Sequence, residues 1–323
     1  MIIYTKENNI IKKIPFTSDI VFPEDVIWFD ILNLKPEEEE AAEKFLQLNI
    51  PSREEMREIE ITSRFYQKQN AVFMTATLVT KFDSLEPESH IFTFILVNNR
   101  LITVRYAEST AFRQFISDLE NLFPAQHNGT AFFVGLIENM VERSTDILEF
   151  AGKDIDKLTK EIFSEKIAAK NEKHNYKKTL EQIGVDGDLI SKTRESLVSL
   201  RRMISYALQS SVASIVGENK DHLTTLLRDI SVLSDHASFL SNKINFLLDA
   251  TLGMIGIEQN NIIKIFSVAA VVFLPPTLIA SIYGMNFHSM PELKWFFGYP
   301  FAIMLMMLSA WLPYKFFKKR NWL

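Results

Sequence analysis

The hydrophobic pattern changes period along the chain. From residue 1 to about 125, apolar positions come in short runs rich in β-branched and aromatic side chains: Val26-Ile27-Trp28-Phe29, Ala71-Val72-Phe73-Met74 and Ile91 to Val97. Such runs fit buried strands. Asn98-Asn99, followed by Leu101-Ile102-Thr103-Val104, reads as a hairpin turn. Pro36 and Glu37 to Glu40 read as the first turn of a helix, because proline suits the first helical position and carboxylates suit the positive end of the dipole. Those glutamates form either a solvated helix face or a metal site.

From about Thr130 the period becomes helical. One helix is expected to about Leu180, a turn at Gly184-Val185-Asp186-Gly187, a second helix from about Asp188 to Val216, and a stop at Gly217-Glu218-Asn219. Beyond it Leu223, Leu226, Ile230, Leu233, Ala237, Leu240, Ile244, Leu247, Thr251, Met254 and Glu258 alternate at spacings of three and four, a heptad seam. A continuous helix from Lys220 to Tyr283 would be roughly 95 Å long. It needs partners, from its own chain or from copies of itself.

Two uncharged stretches follow, Ile265 to Phe287 and Trp295 to Tyr314. Each is long enough to cross a hydrocarbon core of about 30 Å. Lys315, Lys318, Lys319 and Arg320 follow the second stretch, whereas the link between the two holds only Lys294. That bias puts the link outside and both termini in the cytoplasm. Trp295, Tyr299, Trp311, Tyr314 and Trp322 fall where interfacial aromatic belts form. On the first stretch Asn260, Ile263, Ser267, Ala270, Leu274, Thr277 and Ser281 share one narrow uncharged face. Hydroxyls have no partners in lipid, so this face meets either a pore or a neighbouring helix. Pro275-Pro276 removes two backbone donors and should bend the span.

Charge sharpens the division. From Ile263 onward six basic residues stand against one acid, Glu292, a net of +5 in a chain whose total is −5, so residues 1–262 carry −10. An acidic body suits cations and not nucleic acid. The absence of cysteine excludes disulfides and thiolate metal sites. Met1-Ile2-Ile3-Tyr4 soon meets Lys6 and Glu7, so no signal peptide is expected and insertion falls to the C-terminal stretches. No nucleotide loop, Ser-His-Asp arrangement or His-Glu-x-x-His motif is present, and the six histidines are scattered. An enzyme is therefore not expected.

The first stretch ends in Tyr283-Gly284-Met285-Asn286-Phe287, followed by Met290-Pro291-Glu292-Leu293. Here the chain resembles the CorA magnesium transporter family, marked by Gly-Met-Asn with Met-Pro-Glu-Leu after it. The likeness extends over Ile257 to Ser267, Phe273-Leu274-Pro275-Pro276-Thr277-Leu278, Lys294-Trp295, Phe297-Gly298-Tyr299-Pro300 and Lys319 to Leu323, and looks like the proteobacterial branch. The resemblance implies an α+β membrane protein assembled as a funnel-shaped homopentamer. Its parts would be a cytoplasmic α/β domain (1–125) and a helical region (126–262), with a stalk helix at about 219–283. A pore-lining span (263–284), an external loop (285–296), a second span (297–316) and a basic cytoplasmic tail (317–323) complete it.

The implied activity is potential-driven uptake of Mg²⁺, and of Co²⁺ and Ni²⁺, across the cell inner membrane, with no organic cofactor. Gly284, Met285 and Asn286 would form the filter, with Asn286 ringing the outer mouth. Asn260 would ring the inner mouth. Ile263, Phe266 and Leu274 would form the hydrophobic constriction, and Thr277 a hydroxyl ring. The family regulates itself with intracellular Mg²⁺ held by carboxylates between subunits. Asp229, Asp235 and Asp249 lie beside the seam and are candidates, each equally readable as a solvated charge. His288 stands where many relatives carry an acid, which leaves Glu292 as the loop's one carboxylate. Because histidine titrates near neutrality, cation capture is expected to weaken as pH falls from about 8 to 5, and His288→Glu to flatten the uptake curve. Two rivals are a zinc transporter of the same superfamily and a membrane-tethered sensor. Met-Pro-Glu-Leu favours the magnesium branch, and a tether needs no hydroxyl stripe.

Overall fold

The structure is a computed structural model, and it describes residues 1–7, 10–17, 22–58, 60–81, 87–119, 128–163, 175–285, 290–291 and 295–320. The chain divides into two compact units, Met1–Leu248 and Asp249–Leu323.

The first unit is built on a seven-stranded sheet in the order β2-β1-β3-β7-β6-β5-β4. The strands are β1 (Ile2–Glu7), β2 (Ile10–Pro15), β3 (Val26–Leu32), β4 (Phe65–Lys68), β5 (Ala71–Lys81), β6 (Glu88–Val97) and β7 (Arg100–Arg105). All neighbours pair antiparallel except β3 and β7, which run parallel with Trp28 opposite Leu101. The expected hairpin turn is present. Asn98 and Asn99 have φ of 46° and 64°, the left-handed pair that a two-residue type I′ turn requires, and Val97 pairs with Arg100.

Helices cover both faces, which is why the strands read as nearly unbroken apolar runs. Successive residues of a strand point to opposite faces. Phe29 and Ile31 join Phe73, Ile95, Ile102 and Val104 under α1 (Pro36–Leu46) and α2 (Arg53–Met56), which supply Ala42, Leu46 and Met56. A four-residue α3 (Ile61–Arg64) leads into β4. On the other face Trp28 packs edge-on against Phe115 and Phe132, with ring centroids 5.8 and 5.9 Å away. Those rings come from α4 (Thr110–Asp118) and α5 (Gly129–Phe163). The Gly129 N–H donates to the Asn99 carbonyl at 2.8 Å, and a Cβ there would lie 2.4 Å from the Arg100 carbonyl carbon. Only glycine allows α5 to begin so close to the hairpin tip.

A polar chain threads this second face. The Trp28 indole donates to Thr103 Oγ1 (2.9 Å), and the Thr103 hydroxyl donates to Asp30 Oδ1 (2.9 Å). Arg105 clamps Asp30 through Nε and Nη2 at 2.9 and 2.8 Å, and both side chains are buried. Of Glu37 to Glu40 in the first turns of α1, Glu38 departs from a solvated face: it is buried and pairs with the Met1 amino group.

Two expectations about the helices fail. α6 (Tyr176–Gln209) runs unbroken through Gly184 to Gly187, where a turn was expected. Gly187 is a packing position, because a Cβ there would touch Ile244 at 3.4 Å. The helical period also continues through Ile183, Asp186 and Ile190, all buried. The same helix stops at Gln209 rather than Val216, where Ser210 turns extended and Ser214 takes a left-handed φ of 49°. The extension of α5 beyond Phe163 lies partly outside the described residues.

Asp186 is 1% exposed. Gln182 Nε2 donates to its Oδ1 at 3.0 Å, and its Oδ2 has no partner among the described residues. Burial, and secondarily the charge of Asp154, push its carboxyl up to about 6. The folded state therefore holds a proton that the unfolded chain releases near its ordinary value of 3.8. Below that value ionisation imposes no penalty. As pH rises through about 6 the folded protein must ionise a buried group, at a cost of about 3 kcal/mol at neutral pH. Asp186→Asn is expected to raise the melting temperature by about 5 °C near neutral pH and to change it little near pH 4. An unchanged difference across that range in thermal unfolding would refute the assignment.

The second unit contains the later part of α7 (Glu218–Tyr283) and all of α8 (Gly298–Lys319). Among its described residues only Thr251, Val268 and Ala302 are buried. Both helices are long and apolar enough to cross a membrane. A unit with most of its apolar side chains exposed or half-exposed suits hydrocarbon, where helices keep their backbone groups paired.

Candidate functional site

α7 carries every permeation residue expected between Asn260 and Ser281. In the first unit its heptad seam is spent on its own chain. Leu223, Leu226, Ile230, Ala237, Leu240, Ile244 and Leu247 are buried. Leu240 faces Gly152 of α5 and Ile244 faces Gly187 of α6. Lys243 pairs with Asp156 of α5, and His222 Nε2 lies 3.1 Å from Glu138 Oε1. Of the two partners the seam allowed, its own chain is the one it takes. A different face of this segment is exposed: Val232, Phe239 and Phe246 recur every seven residues, with the Phe246 ring stacked 6.0 Å from that of Phe163 of α5.

In the second unit the expected stripe lies on an exposed side of the helix. Asn260, Ile263, Phe266, Ser267, Ala270, Leu274, Thr277 and Ser281 are all exposed. Ile263, Phe266 and Leu274 are 60%, 72% and 65% exposed. The positions that lose exposure are others: Val268, Val272, Pro275, Pro276, Ile279 and Tyr283. They recur at three and four and share a face nearly opposite the stripe at 100° per residue. α7 therefore has one side turned inward within its own chain and another side, neutral and mixed in hydroxyl, amide and apolar groups, turned outward.

Helical geometry continues through Pro275-Pro276. The two carbonyls these prolines deprive of donors belong to Val271 and Val272, four residues back. Thr277 does not compensate them. Its hydroxyl donates to the Phe273 carbonyl at 2.7 Å. With its proton committed to its own helix, the Thr277 oxygen presents only lone pairs outward. That suits a ligand shell made of donors.

α7 ends at Tyr283. The Gly284 N–H still donates to the Ala280 carbonyl at 2.9 Å, and Met285 to Ile282 at 3.2 Å. A Cβ on Gly284 would sit 3.2 Å from the Ala280 oxygen, so a larger residue would crowd this exit. Met285 is exposed. Asn286, His288 and Glu292 lie outside the described residues.

The regulatory candidates do not converge. Asp229 and Asp235 are exposed in the first unit, and Asp249 is exposed in the second. Among the described residues no three carboxylates or histidines of this chain are placed to hold a metal ion. Asp229 has acidic company, however. With Glu138, Glu142, Leu226 and Val232 it lines a cavity of about 370 Å³. The Glu142 carboxyl is raised above its ordinary value, first by burial and then by the charges of Glu138, Asp146 and Asp118. Glu138, Glu142 and Asp146 escaped notice in the sequence, although their spacing of four along α5 is a legible signal.

Comparison with known proteins bears on this arrangement. A family model described as "CorA-like Mg2+ transporter protein" matches residues 23–319. The "Magnesium transport protein CorA" of Salmonella typhimurium is 33% identical over 299 residues, covering 93% of this chain and 92% of that protein. "The complete structure of CorA magnesium transporter from Methanocaldococcus jannaschii" superposes with a TM-score of 0.78 at 19% identity, over 100% of this chain and 99% of that one. "Structure of the full-length CmaX protein" gives 0.71 at 15% identity, over 100% and 98%.

Proposed function

Because the chain belongs to the CorA-like Mg²⁺ transporter family, we propose that it is a channel for Mg²⁺ uptake, with Co²⁺ and Ni²⁺ as further substrates. The observation that supports this most is the outward stripe of α7 from Asn260 to Ser281, which is uncharged, carries acceptors and is exposed along its length. One hairpin cannot enclose a water path. Copies of α7, five in this reading, stand around a common axis, and the exposed Val232, Phe239 and Phe246 face joins neighbours.

Magnesium keeps its octahedral water shell tightly. Those waters are donors, so the ion is passed between acceptor rings: Asn286 at the outer mouth, the Thr277 lone pairs within and Asn260 at the inner mouth. Neutral rings hold weakly enough to release the ion, and the rings of Ile263, Phe266 and Leu274 close the path by dewetting. Gly284 and Met285 place the filter, and His288 and Glu292 meet the arriving ion. The basic residues from Lys315 to Arg320 put both termini in the cytoplasm of an inner-membrane protein. Intracellular Mg²⁺ held between subunits at Asp229, Asp235 or Asp249 keeps the pore shut, and its loss opens it.

The test is flux in liposomes holding purified protein of measured mass, with Mg²⁺, Co²⁺, Ni²⁺ and Zn²⁺ supplied in turn, with and without a proton gradient. The reading expects Mg²⁺ entry that follows membrane potential. Flux of Zn²⁺ alone, driven by the proton gradient, would assign the zinc branch instead. A monomer without flux would end the channel reading.

A further inference from the structure

The end of α8 concentrates positive charge with nothing acidic to meet it. Lys315, Lys318, Lys319 and Arg320 are all exposed, and none is paired with a carboxylate among the described residues. Its own helix offers some relief, since the last carbonyls of a helix attract cations. Relief by one set of partial charges leaves most donors of three ammonium groups and a guanidinium without acceptors.

The aromatic neighbours give the cluster a direction. Lys315 Nζ lies 4.7 Å from the centre of the Trp311 ring, one turn back, and Arg320 lies 5.7 Å from that of Phe316. Trp311 and Phe316 are exposed. Two of the four cations, Lys315 and Arg320, thus rest against an exposed ring one turn nearer the apolar part of the helix. Cations and aromatic rings gathered at the end of an apolar span are the arrangement that an interfacial depth favours. The groups found at that depth with free acceptor oxygens are lipid phosphates.

We propose that Lys315, Lys318, Lys319 and Arg320, backed by Trp311 and Phe316, form a binding surface for the phosphodiester headgroups of anionic phospholipids, and that such lipid stabilises the protein. Phosphatidylglycerol fits better than a zwitterionic lipid because four cations on little more than one turn repel one another until negative charge is supplied. Orienting the chain in the membrane requires the charges but no lipid complex, so the two roles separate once the protein is purified.

The experiment uses the full chain in nanodiscs, which have no inside or outside and so remove orientation from the result. Nanodiscs are made with phosphatidylcholine alone or with added phosphatidylglycerol, and retained lipid and melting temperature are read together. The wild type is expected to retain roughly tenfold more phosphatidylglycerol than phosphatidylcholine and to melt higher as the anionic fraction rises, an effect that fades in high salt. K318Q/K319Q should lose most of that preference, and K318R/K319R should keep it. Equal retention of the two lipids by the wild type would overturn the proposal, as would an undiminished preference in the neutral variant. A further arm supplies inorganic phosphate to protein in phosphatidylcholine nanodiscs. If free phosphate stabilises as well as the lipid does, the cluster is a general anion site and the lipid assignment fails.

Discussion

Asn286→Ala is expected to reduce Mg²⁺ uptake to the level of empty liposomes while the assembled mass stays unchanged. The expectation rests on what stands next to this residue and on what magnesium demands. α7 delivers the chain through Gly284, whose N–H still closes a helical bond to Ala280, to an exposed Met285. Residue 286 is thus the first polar side chain beyond the end of the span. An amide oxygen there accepts from the ion's water shell without having to replace it, whereas a methyl group accepts nothing. A hydrated ion that loses its first acceptor ring must shed water, which magnesium does reluctantly. The substitution shortens an uncharged side chain and changes no charge, so subunits are expected to assemble as before. Asn286→Asp offers a contrast: carboxylates hold the ion more strongly, so binding should tighten and throughput fall. Normal Mg²⁺ uptake by Asn286→Ala, measured beside its oligomeric mass, would remove Asn286 from the filter.

Asp30→Ala should lower the melting temperature of the first unit by about 10 °C or more, the second large effect. Asp30 and Arg105 are buried together, and Arg105 uses two of its nitrogens on the two carboxylate oxygens. Removing the acid leaves a guanidinium in the interior with the Ala107 carbonyl and Glu108 as its remaining partners. Breaking one side of such a pair costs about 3–5 kcal/mol, which converts to a drop of that order for a unit this large. Thr103 also loses its shorter acceptor and keeps only the Phe29 carbonyl at 3.4 Å, so the chain that begins at the Trp28 indole loosens. Glu108→Ala is the control. That carboxylate touches the same Arg105 at 3.3 Å from an exposed position, so its loss should cost less than about 1 kcal/mol. Similar melting of the two variants would mean that burial does not govern this pair.

Where pattern alone determines structure, the reading of the chain was sound. Asn98-Asn99 between two apolar runs leaves little choice but a tight hairpin, and Pro36 with its acids starts a helix. The uncharged stretches and the stripe on α7 follow from composition and a period of 3.6. What failed depended on neighbours. Gly184 and Gly187 look like a turn until Ile244 is seen against Gly187, where a glycine serves close helix packing. The heptad seam was legible as a seam, but spacing does not say whose surface fills it. Here α5 and α6 do, and the exposed face is the less obvious series Val232, Phe239 and Phe246. Asp186 reads as a turn residue between Gly184 and Gly187, since nothing local announces a buried helical carboxyl with one oxygen unpartnered among the described residues.

The parallel pairing of β3 with β7 has a consequence for how the sheet comes into being. The other neighbouring pairs are consecutive strands or, for β1 and β3, are separated by β2 alone, but Trp28 must wait for Leu101, with α1 to β6 intervening. Until then one flank of β3, a row of unsatisfied amides flanked by Ile27 and Phe29, is open to any strand that passes. Non-local closure of this kind is slow and is the stage at which chains stick to one another. Conditions that shorten the life of the half-built sheet should therefore govern the yield of folded chain more than anything done to the membrane hairpin.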